Sequence, residues 1–204
     1  MQAEKAIEIH QRLCAIASNL SPTLAAAIAH NGPIQLVPNQ DIPFPERLCR
    51  AVTGQQLSIR AAQTIWGRVV LSASNENLID YFDWVDGAVL KSCGLSAAKV
   101  KTVKAIAQAA LRGQLDPTEL SQLSAVERTK RLIALWGVGP WTADMMGIFY
   151  FGDEDIWPNG DVTARKTLEK LTSKRRKTVK TAAWFVPYRT YLALHMWQYT
   201  DATP

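Results

Sequence analysis

The sequence predicts an all-α protein, and three patterns lead to that class. Apolar residues recur at intervals of three and four along most segments, which is the spacing of one helix face. Residues that start helices, such as Ser21 before Pro22 and Asp116 before Pro117, separate those segments. No short segment alternates apolar and polar side chains between hairpin turns, as a half-buried strand would. We therefore expect about ten helices and no internal repeat or low-complexity tract.

The chain up to Trp84 divides into helices at clear stop signals. An amphipathic helix is predicted at residues 3–18, and a second runs from Ser21-Pro22 to Asn31-Gly32. The prolines between residues 33 and 45 predict an ordered loop. Three helices follow, at residues 45–56, 58–73 and 75–84.

The second half of the chain carries further helix signals. Ser96 follows a Cys-Gly helix end and caps a long amphipathic helix. Capping-box spacings at Asp116 and Ser124 start two more helices before the hairpin segment described below. After a loop at residues 152–160, the last helices are placed at about 162–171 and on both sides of Pro187.

The composition is that of a folded, mildly basic protein. The chain has 204 residues, 48% of them hydrophobic, a formal net charge of +5 and a pI near 9.2. The positive charge favours a polyanionic partner. Without a secretory signal or a membrane-length apolar run, we expect a location in the cytoplasm, nucleoid or nucleus, with no secretion and no membrane partner. Cys14, Cys49 and Cys93 lie far apart among apolar neighbours, which predicts reduced core thiols.

Residues 132–161 carry the most specific pattern in the chain. A helix ends near Gly137, which suits a helix C-cap, and Pro140 suits the first position of a second helix. Between them Gly139 lets the backbone approach a ligand. The exposed N–H groups of such a turn attract anions, and phosphate is the expected guest.

Residues 135–143 are Leu-Trp-Gly-Val-Gly-Pro-Trp-Thr-Ala, and residues 158–161 are Pro-Asn-Gly-Asp. Together these two motifs resemble those of the helix-hairpin-helix DNA glycosylases, and within them 3-methyladenine DNA glycosylase II. The resemblance covers roughly residues 44–200. It implies two helical lobes. Relatives of this type often add an N-terminal β-rich domain, and we expect none here because the stretch before the shared region is too short to hold one. The central lobe, with the hairpin, would span about residues 46–157, and residues 1–45 plus 158–204 would form the other. Duplex DNA with a damaged base would lie in the cleft between lobes, bound by a monomer.

The resemblance places the catalytic acid at Asp161. When a base leaves, positive charge develops at C1′ of the sugar, and a nearby carboxylate stabilises that transition state and orients water. The alternative role for Asp161 is an ordinary N-cap for the helix that follows. Asp153, Glu154 and Asp155 also lie after the hairpin, but an acidic loop cluster is usually only solvated.

The base pocket is expected at Trp141, Tyr188 and Met145. The bifunctional relatives carry a nucleophilic lysine at the position of Trp141, and an indole cannot form a Schiff base, so the resemblance implies hydrolysis without lyase action. Trp141 and Tyr188 match aromatic positions that stack on cationic alkylated purines. Met145 departs from the family, which has an aromatic residue there, and leaves the base preference open. Burial in the core is the alternative for Trp141.

The wedge that replaces a flipped nucleotide is expected at Gln56, within Val-Thr-Gly-Gln-Gln-Leu-Ser at residues 52–58. Gln55 is expected to brace the same loop. An ordinary helix end is the alternative for this segment.

The hairpin is expected to bind phosphate through the backbone N–H groups of Gly137, Gly139, Trp141 and Thr142. In the resembled family a monovalent cation, Na⁺ or K⁺, also binds hairpin carbonyls. The matching carbonyls are those of Ile133, Trp136 and Val138. No other cofactor is expected, and the chain lacks the cysteine cluster of iron–sulfur relatives.

Several groups stay outside this interpretation. Lys174, Arg175, Arg176, Lys177 and Lys180 form a basic run that either extends DNA binding or is a solvated face. His10, His30 and His195 lack partners at metal-ligand spacing, and His195 is expected in the core. Open alternatives for the function are excision of uracil, deaminated or oxidised bases, and a non-catalytic helix-hairpin-helix module.

Overall fold

The computed structural model describes residues 2–201, apart from the side chains of Gln2 and Ile59. This part of the chain contains no strand, which confirms the all-α class. A π-helical turn, Gly147–Phe151, and a 3₁₀ turn, Ala183–Phe185, join the helices. The α-helices in chain order are α1 Gln2–Leu20, α2 Pro22–Asn31, α3 Phe44–Gly54, α4 Ile59–Ser72, α5 Leu78–Trp84, α6 Gly87–Ser92, α7 Ala97–Leu111, α8 Pro117–Gln122, α9 Ala125–Ile133, α10 Pro140–Met146, α11 Val162–Leu171, α12 Thr178–Ala182 and α13 Arg189–Asp201.

The side-chain caps predicted from the sequence start α2, α7, α8 and α9. Ser21 accepts a hydrogen bond from Leu24 N, and Ser124 forms a reciprocal capping box with Glu127. The described helices outnumber the ten expected because short ones such as α6 consist of little more than one capped turn. Asp86 caps that helix through Ala88 N, and six residues are too few for a periodic apolar pattern.

The chain divides into two compact units. Among the described residues, 39–146 form the central unit, and 2–38 together with 147–201 form the terminal unit. The sequence places the second boundary near residue 157, whereas the structure assigns 147–157 to the terminal unit. Thr190 on α13 explains this placement: its hydroxyl donates to the Asp153 carbonyl at 2.7 Å and accepts from Ile156 N at 2.9 Å.

The core of the terminal unit brings together both ends of the chain. Helix α1 packs on α2, and α13 packs on α2 and α11. Leu13, Leu24, Leu168 and Leu192 are fully buried there. His195 is also buried, as predicted, and its Nδ1 lies 3.3 Å from Asn31 Nδ2. Burial lowers the pKa of His195 to about 4, so the ring is neutral near pH 7.

The core of the central unit is built around α7, which packs on α3 and α5. Leu48, Phe82 and Ile106 are fully buried in it. The three cysteines of the chain are free, and burial raises the pKa of Cys49, so that this thiol stays protonated. Among residues 2–201, no helix is both long and apolar enough to span a bilayer.

Candidate functional site

The predicted hairpin is present between α9 and α10. Leu135 N donates to the Leu132 carbonyl and Val138 N to the Leu135 carbonyl, each at 3.1 Å. Gly137 has φ +81°, and a Cβ there would lie 2.0 Å from Thr102 Oγ1. No side chain fits at Gly137, because the left-handed conformation and the contact with α7 both exclude it.

Gly139 differs from Gly137 in what surrounds it. A Cβ at Gly139 would meet nothing within 4 Å. The packing of this unit therefore does not require glycine at residue 139. The space beside its backbone is open, as the close approach of a ligand requires.

A lysine side chain contacts the hairpin. Trp136 is 46% exposed, and Lys101 Nζ on α7 lies 4.2 Å from the centre of its indole ring. This cation–π contact places an ammonium group beside the turn. Lys101 could not be predicted from the sequence, because its contact with Trp136 depends on how α7 packs.

The pocket candidates of the central unit lie on α10. Trp141 is half-buried and Met145 is buried. Between them is Asp144, which no sequence motif indicates. Burial raises the pKa of Asp144 to about 6, so a carboxyl group that titrates near neutrality lies on this helix.

The predicted wedge segment forms the turn after α3. Gln56 is exposed and has φ +56°, a conformation that few residues other than glycine adopt. The Gln55 side chain donates to Thr142 Oγ1 at 2.8 Å, so it braces the turn against α10. Lys99 Nζ donates to the carbonyls of Thr53 and Gln55 at 2.8 and 2.9 Å. These bonds fix the residues on both sides of Gly54.

Asp161 caps α11 in the terminal unit. Its Oδ1 accepts hydrogen bonds from Ala164 N at 2.8 Å and from Trp197 Nε1 at 3.0 Å. Asp161 N donates to the Pro158 carbonyl at 2.8 Å, which closes the predicted turn. The N-cap role is therefore present. This N-cap role does not exclude a catalytic role for Asp161, because the same hydrogen bonds fix its carboxylate in one orientation.

Trp197 is the partner of Asp161 that sequence reasoning missed. It lies on α13, 36 positions along the chain, and its ring centre is 5.7 Å from that of Phe149. Sequence spacing could not reveal this pair, because the packing of α13 on α11 brings the two residues together.

Tyr188 lies half-buried in the terminal unit, just before α13. Arg12 Nη1 donates to its hydroxyl at 3.2 Å, and the guanidinium carbon lies 5.7 Å from the ring centre. Tyr191 contacts the Tyr188 ring edge-on at 6.2 Å. The ring is therefore held from two sides.

The acidic loop cluster is bound rather than simply solvated. Arg189 holds the Asp155 carboxylate with two bonds of 2.7 and 2.9 Å. Glu154 pairs with Lys5 and accepts from the Tyr191 hydroxyl at 3.0 Å. The expectation of a solvated cluster was wrong, because these partners come from α1 and α13. Within the described chain, no group of three or more His, Cys, Asp or Glu residues is arranged for a metal ion.

Comparison with known proteins identifies the family. A DNA-3-methyladenine glycosylase of Schizosaccharomyces pombe is 33% identical over 167 residues, which cover 75% of this chain and 71% of that protein. The S. pombe 3-methyladenine DNA glycosylase solved with abasic DNA has a TM-score of 0.77 and 26% identity, covering 94% of this chain and 98% of that one. A DNA-3-methyladenine glycosidase from Bacillus halodurans has a TM-score of 0.77 and 27% identity, covering 92% and 88%. The chain matches no established protein-family profile.

These matches extend over most of each chain and confirm the resemblance carried by residues 135–143 and 158–161. The protein therefore belongs to the DNA-3-methyladenine glycosylase family of helix-hairpin-helix DNA glycosylases.

Proposed function

We propose that this protein is a monofunctional DNA glycosylase that acts as a monomer and removes alkylated purines of the 3-methyladenine and 7-methylguanine type from duplex DNA. The observation that carries the proposal is the Asp161 carboxylate, held by Ala164 N and Trp197 Nε1 in a member of this family. The relative in S. pombe is named for 3-methyladenine and was solved with abasic DNA, the product of base removal.

The reaction breaks the bond between the base and C1′ of the sugar. An alkylated purine is already cationic, so it leaves as a neutral base when the bonding electrons move to its nitrogen. Positive charge then develops at C1′, and the carboxylate of Asp161 lowers the energy of that state. Water adds its oxygen to C1′ and loses a proton, with Asp161 as the orienting or accepting group. The product is an abasic site.

Hydrolysis rather than strand cleavage follows from the residue at position 141. A lyase needs an amine that attacks C1′ and forms a Schiff base. Trp141 occupies the matching position on α10, and its indole has no such nucleophile. Water is then the only nucleophile that this mechanism uses.

Stacking is the proposed basis of base recognition. Trp141 and Tyr188, both half-buried, would stack on a cationic purine, and Met145, which is buried on α10, is the third residue proposed for the pocket. The exposed Gln56 would fill the gap left by the flipped nucleotide. The left-handed backbone of Gln56 supports the wedge role, because strained conformations of this kind often occur at functional positions. They persist where neighbouring groups hold the backbone, and here Lys99 Nζ binds the carbonyl of the preceding residue, Gln55.

The hairpin would hold the DNA backbone. Its described turn bonds end on the carbonyls of Leu132, Leu135 and Gly139. The carbonyls of Ile133, Trp136 and Val138 are not acceptors in these bonds, so they suit the proposed Na⁺ or K⁺. When bound, the cation would supply positive charge to a DNA phosphate, and the N–H groups of the hairpin would add donors.

Asp161→Asn tests the proposal directly. Asparagine is as good an N-cap as aspartate, so the fold of α11 is retained while the charge is lost. We expect near-normal affinity for a duplex containing 7-methylguanine and a loss of base release of at least about 100-fold. Asp116→Asn is the matched control, because Asp116 caps α8 in the same way through Thr118 N and Glu119 N.

Near-normal excision by Asp161→Asn would overturn the assignment. A panel of duplexes with alkylated, deaminated, oxidised or uracil bases would show which lesion the pocket accepts. Borohydride trapping of a covalent complex would contradict the monofunctional mechanism.

A further inference from the structure

A basic cavity lies at the end of α11, away from Asp161. It has a volume of about 610 Å³ and belongs entirely to the terminal unit. Helix α11 has ten residues, so about 15 Å of helix separates this cavity from the Asp161 end. The residues that line it are Leu20, Thr172, Ser173, Arg175, Arg176, Lys177, Lys180 and Thr181.

The charged side chains that line the cavity are all basic. Arg175, Arg176, Lys177 and Lys180 line it, and none of its described lining residues is acidic. Like charges held around one cavity repel each other, and a bound anion would relieve that repulsion. The charge pattern therefore fits a polyvalent anion better than a neutral ligand.

Capping of α11 does not account for these cations. Positive side chains often neutralise the carbonyls at the end of a helix. Here the Leu171 carbonyl already accepts from Ser21 Oγ at 2.6 Å. The Leu168 carbonyl accepts from Thr172 N and Oγ1 at 3.0 and 2.6 Å. Since Ser21 and Thr172 serve these two carbonyls, neither carbonyl needs a basic side chain.

A second observation points to the same ligand site. Thr181 is only 1% exposed, and its Oγ1 has no hydrogen-bond partner among the described residues. Buried hydroxyl groups nearly always have a partner. Thr181 is one of the residues that line the cavity, and its hydroxyl would gain an acceptor if an oxygen of a bound ligand reached it.

We propose that Arg175, Arg176, Lys177, Lys180 and Thr181 form a phosphate-binding site of the terminal unit, built from other residues than the hairpin and Asp161. A phosphate group offers several acceptor oxygens, which match guanidinium forks, ammonium groups and one hydroxyl. The phosphate would come either from a DNA backbone or from a small phosphorylated compound. The site does not depend on the proposed base excision.

Pyrophosphate is the probe for this site, with thermal unfolding of the full chain as the readout. We expect pyrophosphate to raise the Tm of the wild type more than sodium chloride of equal ionic strength. The Arg176→Gln/Lys180→Gln double variant should weaken pyrophosphate binding at least tenfold. The control is Lys91→Gln/Arg112→Gln, which removes two exposed charges from the central unit and should bind like the wild type.

Thr181→Val separates ligand binding from folding. Valine has nearly the same shape without the hydroxyl, so this variant should unfold at a higher temperature in buffer without pyrophosphate. It should also bind pyrophosphate at least threefold more weakly. A purely structural threonine would not produce these opposite effects.

Binding of an undamaged duplex distinguishes the source of the phosphate. Weaker DNA binding by the Arg176→Gln/Lys180→Gln variant than by its control would assign the site to a DNA backbone phosphate. Loss of pyrophosphate binding alone would assign it to a small phosphorylated compound. The proposal is overturned if pyrophosphate acts no differently from matched salt, or if all variants bind it like the wild type. The rate of base release at saturating enzyme tests the proposed function separately.

Discussion

Replacing Trp197 by phenylalanine removes one donor to Asp161 and leaves an aromatic ring beside Phe149. The lost bond is the 3.0 Å contact from the indole N–H to Asp161 Oδ1. A hydrogen bond to a charged group contributes about 1.5–3 kcal/mol. If that energy orients the carboxylate in the transition state, the rate of base release falls about 10- to 150-fold. The Ala164 N–H still caps α11 through the same oxygen, so the fold is retained.

The assay is single-turnover excision of 7-methylguanine with enzyme in excess, together with DNA affinity and Tm. We expect the rate to fall while DNA affinity stays within about twofold, because the indole acts on the chemical step. Trp184→Phe is the matched control, since Trp184 is 63% exposed in the same unit. A rate for Trp197→Phe within about twofold of the wild type would refute the positioning role.

Three further predictions follow from the central unit. Lys99→Met removes both hydrogen bonds that Lys99 Nζ donates to the turn before Gln56. We therefore expect lesion binding to be about 3- to 10-fold weaker while the step of base release is unchanged, and unchanged lesion affinity would contradict the bracing role. Gly137→Ala should lower the free energy of unfolding by about 2 kcal/mol or more, because its Cβ would collide with Thr102. Gly139→Ala should keep the stability of the wild type and bind DNA more weakly. Equal losses of stability for the two variants in urea unfolding would refute this contrast. Asp144→Asn should be about 1–2 kcal/mol more stable than the wild type at pH 8. The reason is that the pKa of Asp144 is raised to about 6 in the folded protein, so the wild type loses stability as the pH rises through that value. The difference in stability between the two proteins should vanish below pH 4.

The local parts of the site could be predicted from the sequence because neighbouring residues determine them. The turn before Asp161, the cap of α11 and the hairpin glycines all depend on backbone geometry within a few residues. Such patterns have few structural solutions, so residue types alone identify them.

The partners of these residues could not be predicted, because they come from distant parts of the chain. Trp197 reaches Asp161 across 36 positions, and Lys99 reaches the Gln55 carbonyl across 44. The partner of the acidic loop also could not be predicted, since Arg189, which binds Asp155, lies on α13. These contacts depend on how helices pack, and helical periodicity shows which face is buried but not which residue it meets.

The insertion of residues 39–146 between two parts of the terminal unit has a consequence for synthesis on the ribosome. The central unit is one continuous stretch, so it has all its internal partners before residue 147 is added. Helices α1 and α2 are made before the central unit, but α2 packs on α11 and α13, which are made after it. We therefore expect the hairpin unit to fold first and the N-terminal helices to wait, with apolar faces that nascent-chain chaperones can cover. The carboxylate of Asp161 would gain its indole partner only when α13 is complete.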